Sequence, residues 1–314
     1  MKLIALSEDN PIKQLLAFLL ILLFSAIIFT GLAFVSAYFI YGKDTLNSLN
    51  DFGNAEVISA LKYIQGWNHF GIFLAPALIF GLLSGKGLMN FYNAKKLPSL
   101  KFFVFAVVLL IMANPIIGLL MEWNSAMQLP DWLSGMENWM RNLEDTAKVA
   151  TEALIKAENV SQLMTNILIM AVLPALGEEF LFRGFLMRYF SLFIKNIHIN
   201  ILIVSILFSA MHMQFYGFLP RMALGMMLGY FFYWSGSIWV PVIVHFINNG
   251  SMVFIYYLAE NGKMNGNPEE FGTTSSVYFL VVNAILLVAG FYWFSRNRNK
   301  KPLFEEESQE EILA

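Results

Sequence analysis

The sequence predicts an all-α membrane protein: a bundle of about eight transmembrane helices with a helical loop lying at one interface. Three observations predict it. Of the 314 residues, 58% are hydrophobic and only 13% charged, whereas soluble domains are roughly 45–50% apolar and about 25% charged. Charge-free runs recur at the length of a bilayer crossing, about 20 mostly apolar residues. The remaining charges sort by sign into alternate connections.

The runs follow one another along the chain. Residues 14–42 form the first. It is too long for a signal-peptide core, and no A-x-A-like cleavage site closes it, so it reads as a retained helix. Residues 63–85 and 102–121 give the second and third, 159–177 the fourth, and 196–220 the fifth. Residues 222–259 are long enough for two, with Ser235-Gly236-Ser237 as the break, and 271–295 give the last.

Charge sets the expected orientation, because cytoplasmic connections are enriched in Lys and Arg. The 86–101 connection carries Lys86, Lys95, Lys96 and Lys101 and no acid. Arg296, Arg298, Lys300 and Lys301 follow the last run, and Arg183, Arg188 and Lys195 border the fourth and fifth. The 122–158 and 260–270 connections are predominantly acidic. Eight spans with both termini cytoplasmic put every basic segment inside. Within 131–155, Trp132, Met136, Trp139, Leu143 and Leu154 fall near helical spacing, as in a helix lying on the outer membrane face. The chain reads as a single polytopic domain over 1–314, with an acidic cytoplasmic tail at 303–314. It has no cysteine, hence no disulfide, thiol nucleophile or thiolate metal site. A net charge of -2 gives no sign of nucleic acid.

Ionisable residues inside spans are functional candidates, because burying them costs free energy. Glu178, Glu179 and Arg183 form one group, and His212 stands in a second run. His245 and Asn249 are i and i+4 in a third, so they share a helix face. Glu179 and Arg183 have the same relation and can pair, leaving Glu178 about 100° around the helix. In a hairpin turning near Lys195, Glu178 lies 17 residues before the turn and His212 17 after it, at equal depth. Of the four histidines, His69 and His198 lie near span ends, where a structural or interfacial role is expected. A carboxylate beside imidazoles and an amide suits water activation, with His and Asn as oxyanion donors. The same four side chains can instead hold a divalent metal such as zinc, lock helices together, or relay protons in an ion-coupled transporter.

These residues resemble the CPBP family, the CAAX-type proteases and bacteriocin-processing enzymes also called the Abi family. Its pattern reads E-E-x-x-x-R, F-x-x-x-H and H-x-x-x-N. Here the three parts are Glu178-Glu179-x-x-x-Arg183, Phe208-x-x-x-His212 and His245-x-x-x-Asn249, in order. The resemblance covers about 160–260 and implies a catalytic core there. It implies an intramembrane endopeptidase, with Glu178 as general base and His212 its partner on the water. His245 and Asn249 then stabilise the oxyanion or, in the family's metalloprotease reading, join a zinc site. Glu179 and Arg183 become supporting residues and Phe208 packs beside His212. The expected partner is a membrane-embedded or membrane-anchored peptide within the lipid bilayer, with no nucleic acid. The "FINNGS" run and the lack of organellar signals fit a bacterial chain, so the inner membrane is the expected location. An inactive immunity or binding member of the same fold is the remaining alternative.

Overall fold

The computed structural model describes residues 10–95, 97–274, 276–298 and 303–304. The tail beyond Phe304, together with Lys96, Lys300 and Lys301, lies outside the described residues. Among those described, every regular element is helical. The long helices are α1 (Pro11–Asn47), α2 (Ala55–Leu83), α3 (Leu100–Ser125), α4 (Ser134–Ile155), α5 (Val160–Ser191), α6 (Ile197–Ala210), α7 (Phe218–Ser235), α8 (Trp239–Glu260) and α9 (Val277–Arg296).

Six of these, α1, α2, α3, α5, α8 and α9, are long and apolar enough to cross a membrane. The other two expected spans form helices but do not meet that standard. The fifth run ends as a helix at Ala210, after only 14 residues, and α7 starts again at Phe218. Composition does not show the break, since the sequence stays apolar through Met213. Tertiary hydrogen bonds hold the turn instead. The Asn124 amide of α3 donates to the Phe215 carbonyl at 3.1 Å and accepts from the Leu219 amide at 2.7 Å. Met213 there takes a left-handed backbone, φ 53°. The break between α7 and α8 falls where the sequence placed it, with Gly236 closing α7 at φ 68°.

Helices α1 and α9 present the most lipid-like surfaces. Phe39, Tyr278 and Val288 are among many large apolar side chains left exposed on them, where apolar contact with lipid replaces a protein core. The first run ends at Gly42, which breaks the α1 helix at φ 80°, a conformation that suits glycine. Helix α4 is amphipathic and has Trp132, Met136 and Trp139 exposed at its start. It reaches the α6–α7 turn through Trp139, whose ring is tilted against Phe215 at 5.5 Å, and through Glu144, which accepts from the Tyr216 amide at 3.2 Å. Hydrogen bonds from Arg141 hold the Glu137 carboxyl below its usual carboxylate range.

The connections gather at two ends. At one end, Arg188 donates to the Phe91 carbonyl at 2.9 Å and Trp239 to Ala94 at 2.9 Å. Asn93 there donates to Leu303 at 2.8 Å. At the other, Lys62 donates to Lys156 at 3.2 Å, Asn261 to Ala157 at 2.9 Å, and Lys148 pairs with Glu269 at 3.2 Å. The alternation expected from charge is therefore present in the packing. Two of the charges used to read it are not flank charges, however. Arg183 is fully buried within α5 and Arg188 is buried near its end, leaving Lys195 exposed in the connection.

The native chain has no cysteine, so single-cysteine labelling needs no background removal. Asn50→Cys and Thr146→Cys should react with a membrane-impermeant maleimide from one side of sealed vesicles. Lys195→Cys and Asn297→Cys should react only from the other. Labelling of Thr146→Cys and Lys195→Cys from one side would break the alternation.

Candidate active site

The site is built on α5. Glu178 and Glu179 sit between two π-helical turns of that helix, Leu168–Val172 and Phe180–Leu186. Such wide turns are rare in regular helices and common at functional sites. Adjacent residues diverge around the helix, and the two carboxylates have different surroundings. Glu179 is fully buried and accepts from Arg183 Nη1 at 2.7 Å and from His245 Nδ1 at 2.8 Å. Arg183 continues to the Gly225 carbonyl of α7 at 2.8 Å, and its guanidinium lies 4.9 Å from the Phe208 ring centre. One ion pair thus ties α5 to α6, α7 and α8.

Glu178 is 6% exposed and, among the described residues, has no arginine or lysine within ion-pair distance. Its nearest cationic-capable neighbours are two imidazoles. His245 Nε2 is 4.0 Å from its Oε2, and His69 Nε2 is 3.8 Å from its Oε1. These distances exceed a direct hydrogen bond and suit a bridging water.

On α8, His245 and Asn249 are joined, Asn249 Nδ2 to His245 Nε2 at 3.2 Å. With Nδ1 donating to Glu179, Nε2 is the acceptor of that contact. The Asn249 amide also donates to the Met170 carbonyl at 3.3 Å, and its oxygen accepts from Asn248 at 3.1 Å. The Met170 carbonyl needs such a donor for a reason visible in the sequence. Its α-helical partner would be residue 174, which is Pro174 and has no N–H. The proline in α5 and the asparagine in α8 complete one another.

His212 follows α6 in the α6–α7 turn. Its Nδ1 donates to the Phe208 carbonyl at 2.9 Å, which fixes the tautomer and leaves Nε2 as an acceptor. Among the described residues, no hydrogen bond or ion pair joins His212 to Glu178. The connection runs through Phe208, whose ring packs edge-on against His212 at 5.3 Å, His245 at 5.9 Å and Phe182 at 5.2 Å.

His69 is the residue that sequence reasoning missed. The charge-free run seemed to begin after Lys62, which put His69 near its end. The helix begins at Ala55 instead, because Lys62 is buried and its ammonium is satisfied by the Lys156 carbonyl. His69 is therefore in mid-helix, just before the π-helical turn Phe70–Leu74, with its ring stacked on Phe73 at 4.5 Å. A histidine inside a 23-residue run (63–85) without charge was the available signal. Gly177 lets α2 come this close: a Cβ there would stand 2.7 Å from Phe73 Cβ and 3.5 Å from His69 Nε2. His198, by contrast, stays at the start of α6 and meets Tyr230 at 2.8 Å.

The zinc that the family resemblance implies does not fit this arrangement. No group of three His, Cys, Asp or Glu among the described residues is placed to hold a metal ion. Both His245 nitrogens are engaged, by Glu179 and Asn249. A cavity of about 740 Å³ opens at the α4 end, with Lys62, Lys156, Gln162 and Ile169 among its lining residues. Ile169 packs at Gly66, one helical turn from His69.

Comparison with known proteins agrees with the motifs over the segment that carries them. Residues 160–251 match the family model described as Type II CAAX prenyl endopeptidase Rce1-like. The chain is 31% identical over 86 residues to an uncharacterised protein of Bacillus subtilis (strain 168), YpbD. That alignment covers 26% of this chain and 41% of the relative's length. No solved structure matches significantly. His69 lies outside the matched segment.

Arg183→Met should be costly, because it leaves the fully buried Glu179 without its guanidinium. Breaking one side of a buried pair costs about 3–5 kcal/mol. The denaturation midpoint in detergent should fall accordingly, and by more than for Arg183→Lys. A midpoint unchanged in Arg183→Met would remove the pair from the stability of the bundle.

Proposed function

We propose that this chain, Rce1-like over 160–251, is an intramembrane endopeptidase that hydrolyses a peptide bond with water activated by Glu178. The division of labour between two adjacent carboxylates carries the reading. Glu179 is committed to Arg183 and His245. Glu178 is buried and free of any such commitment, with an imidazole nitrogen at 3.8 Å and another at 4.0 Å. A carboxylate held this way can accept a proton, whereas one locked to a guanidinium cannot.

In this reading, water gives a proton to Glu178 as its oxygen bonds to the scissile carbonyl carbon. The C–N bond then breaks, and the proton on Glu178 passes to the leaving amine. Asn249, joined to His245 beside Glu178, serves the developing oxyanion. At rest the Asn249 amide is shared between Met170 and His245 Nε2. A substrate oxygen arriving there takes over the hydrogen held by Nε2. His245, held by Glu179 through its Nδ1–H, orients the Asn249 amide toward that oxygen. His212 presents its free Nε2 from the α6–α7 turn, where it acts on the substrate side, and Phe208 holds both rings in place. No step is assigned to a metal.

The substrate is a membrane-embedded or membrane-anchored peptide, handled in the bilayer without nucleic acid. The chain would act as a single domain in the bacterial inner membrane, with the end bearing Lys195 and Arg296 in the cytoplasm. The purified protein, incubated with a membrane-peptide library in detergent, tests the reading. Cleavage should persist in excess chelator. It should be abolished in Glu178→Gln, whose thermal midpoint should stay close to that of the native chain. A fully active Glu178→Gln variant would end the general-base assignment.

Asn249→Ala should lower kcat by about 10²–10³ with little change in KM, as for loss of one oxyanion donor. Rescue of that variant by added zinc, together with stoichiometric zinc in the native protein, would replace the oxyanion role by a metal site.

A further inference from the structure

We infer that His69 holds the attacking water with Glu178, so that the site draws one of its working groups from α2, outside the family-matched segment. The inference rests on the proposed hydrolysis and adds a residue to it. His69 Nε2 and Glu178 Oε2 are both buried polar atoms without a hydrogen-bond partner among the described residues, and His69 Nε2 faces Glu178 Oε1 across 3.8 Å. Orphaned polar atoms are uncommon in folded interiors because each forfeits its hydration. Two of them stand on adjoining side chains, and a single bridging oxygen would satisfy both.

The chemistry of that position is specific. A water there donates one hydrogen to Glu178 and the other to His69 Nε2. Its oxygen lone pair is then aimed away from both groups, toward the carbonyl carbon. Only the first hydrogen is transferred, and Glu178 receives it. His69 keeps its own protonation and fixes direction. His212 has no comparable contact with Glu178, its Nδ1 being tied to Phe208.

The surrounding sequence is shaped for this contact. Gly177 removes the side chain that would separate α2 from α5 beside Glu178. Phe73 stacks on the imidazole and restricts its rotation. The π-helical turn Phe70–Leu74 begins at the next residue, ahead of Pro76. None of these features is required to pack a lipid-facing helix.

The test separates an acceptor from a packing ring. His69→Phe keeps an aromatic ring against Phe73 and has no nitrogen. His69→Gln loses the ring and retains an acceptor oxygen. If His69 holds water, His69→Phe should lose about 10²-fold in kcat, the order of loss expected from a misplaced reactant. His69→Gln should recover part of it, with KM little changed in both. A packing role predicts the reverse order, with His69→Phe near native and His69→Gln impaired, and that result overturns the inference. So does native kcat in both variants. Glu178→Gln, assayed alongside, keeps the two ideas apart: if it is inactive while His69→Phe is active, only the His69 role fails.

A second measurement needs no substrate. The chain has four histidines, so each imidazole signal in a ¹⁵N-histidine spectrum is assignable by single substitution. Replacing Glu178 by Gln should shift the His69 and His245 signals and leave His198 unmoved. A His69 signal insensitive to Glu178 would sink the proposal even if no peptide were cleaved.

Discussion

The Glu179–Arg183 ion pair organises the interior of this bundle. It lies within one helix, yet its reach is tertiary. Through His245 it orients α8, through the Gly225 carbonyl it fixes α7, and through the Phe208 ring it meets α6. A charge pair in such a setting cannot be justified as a source of stability, since well-packed apolar residues often do as well. Its value is positional. Once Arg183 holds Glu179, and Glu179 holds His245 Nδ1, the imidazole has one tautomer and one orientation. The neighbouring Glu178 is then the only carboxylate of the pair left to react.

Helix irregularity is the second constraint. The wide turns of α2 and α5 lie beside His69 and the two glutamates, and a proline follows shortly after the first of them in each helix. Proline removes a backbone donor and so releases a carbonyl four residues earlier. In α5 the carbonyl opposite Pro174 is that of Met170, and Asn249 satisfies it. A defect in one helix thereby becomes the anchor for a side chain of another. The arrangement also explains why Asn249 is held so firmly at rest: its oxygen and its nitrogen both have partners on known atoms.

Much of this was legible in the sequence, and the failures have physical causes. The pairing of Glu179 with Arg183, the contact of His245 with Asn249, and the break at Ser235–Ser237 all follow from local spacing, which a helix converts directly into neighbourhood. What escaped was set by tertiary satisfaction of charge and backbone. Lys62 ended an apolar run on paper, but a carbonyl from the α4–α5 connection satisfies it and the helix continues through it. Arg183 and Arg188 resembled flanking charges and proved to be interior ones. The end of α6 at Ala210 depends on Asn124, 86 residues earlier, which no window of local sequence contains. Apart from Arg183, whose partner Glu179 is one helical turn away, each error concerned a polar group with a partner distant in the chain. The same distance hid His69 from a motif confined to the later helices.

The shortness of α6 has a consequence for its place in the membrane. Fourteen residues rise only about 21 Å as an α-helix, against a hydrocarbon thickness of about 30 Å. The turn carrying His212 nevertheless meets the end of its longer neighbour α3 at Asn124 and the amphipathic helix α4 at Glu144. Its backbone is satisfied there by Asn124 and Glu144 rather than by lipid headgroups. Capped by side chains of α3 and α4, the chain reverses there without needing a full crossing's length of α-helix. The His212 imidazole thus stands on a turn fixed by protein partners, and its position is set by the bundle and not by the thickness of the surrounding lipid.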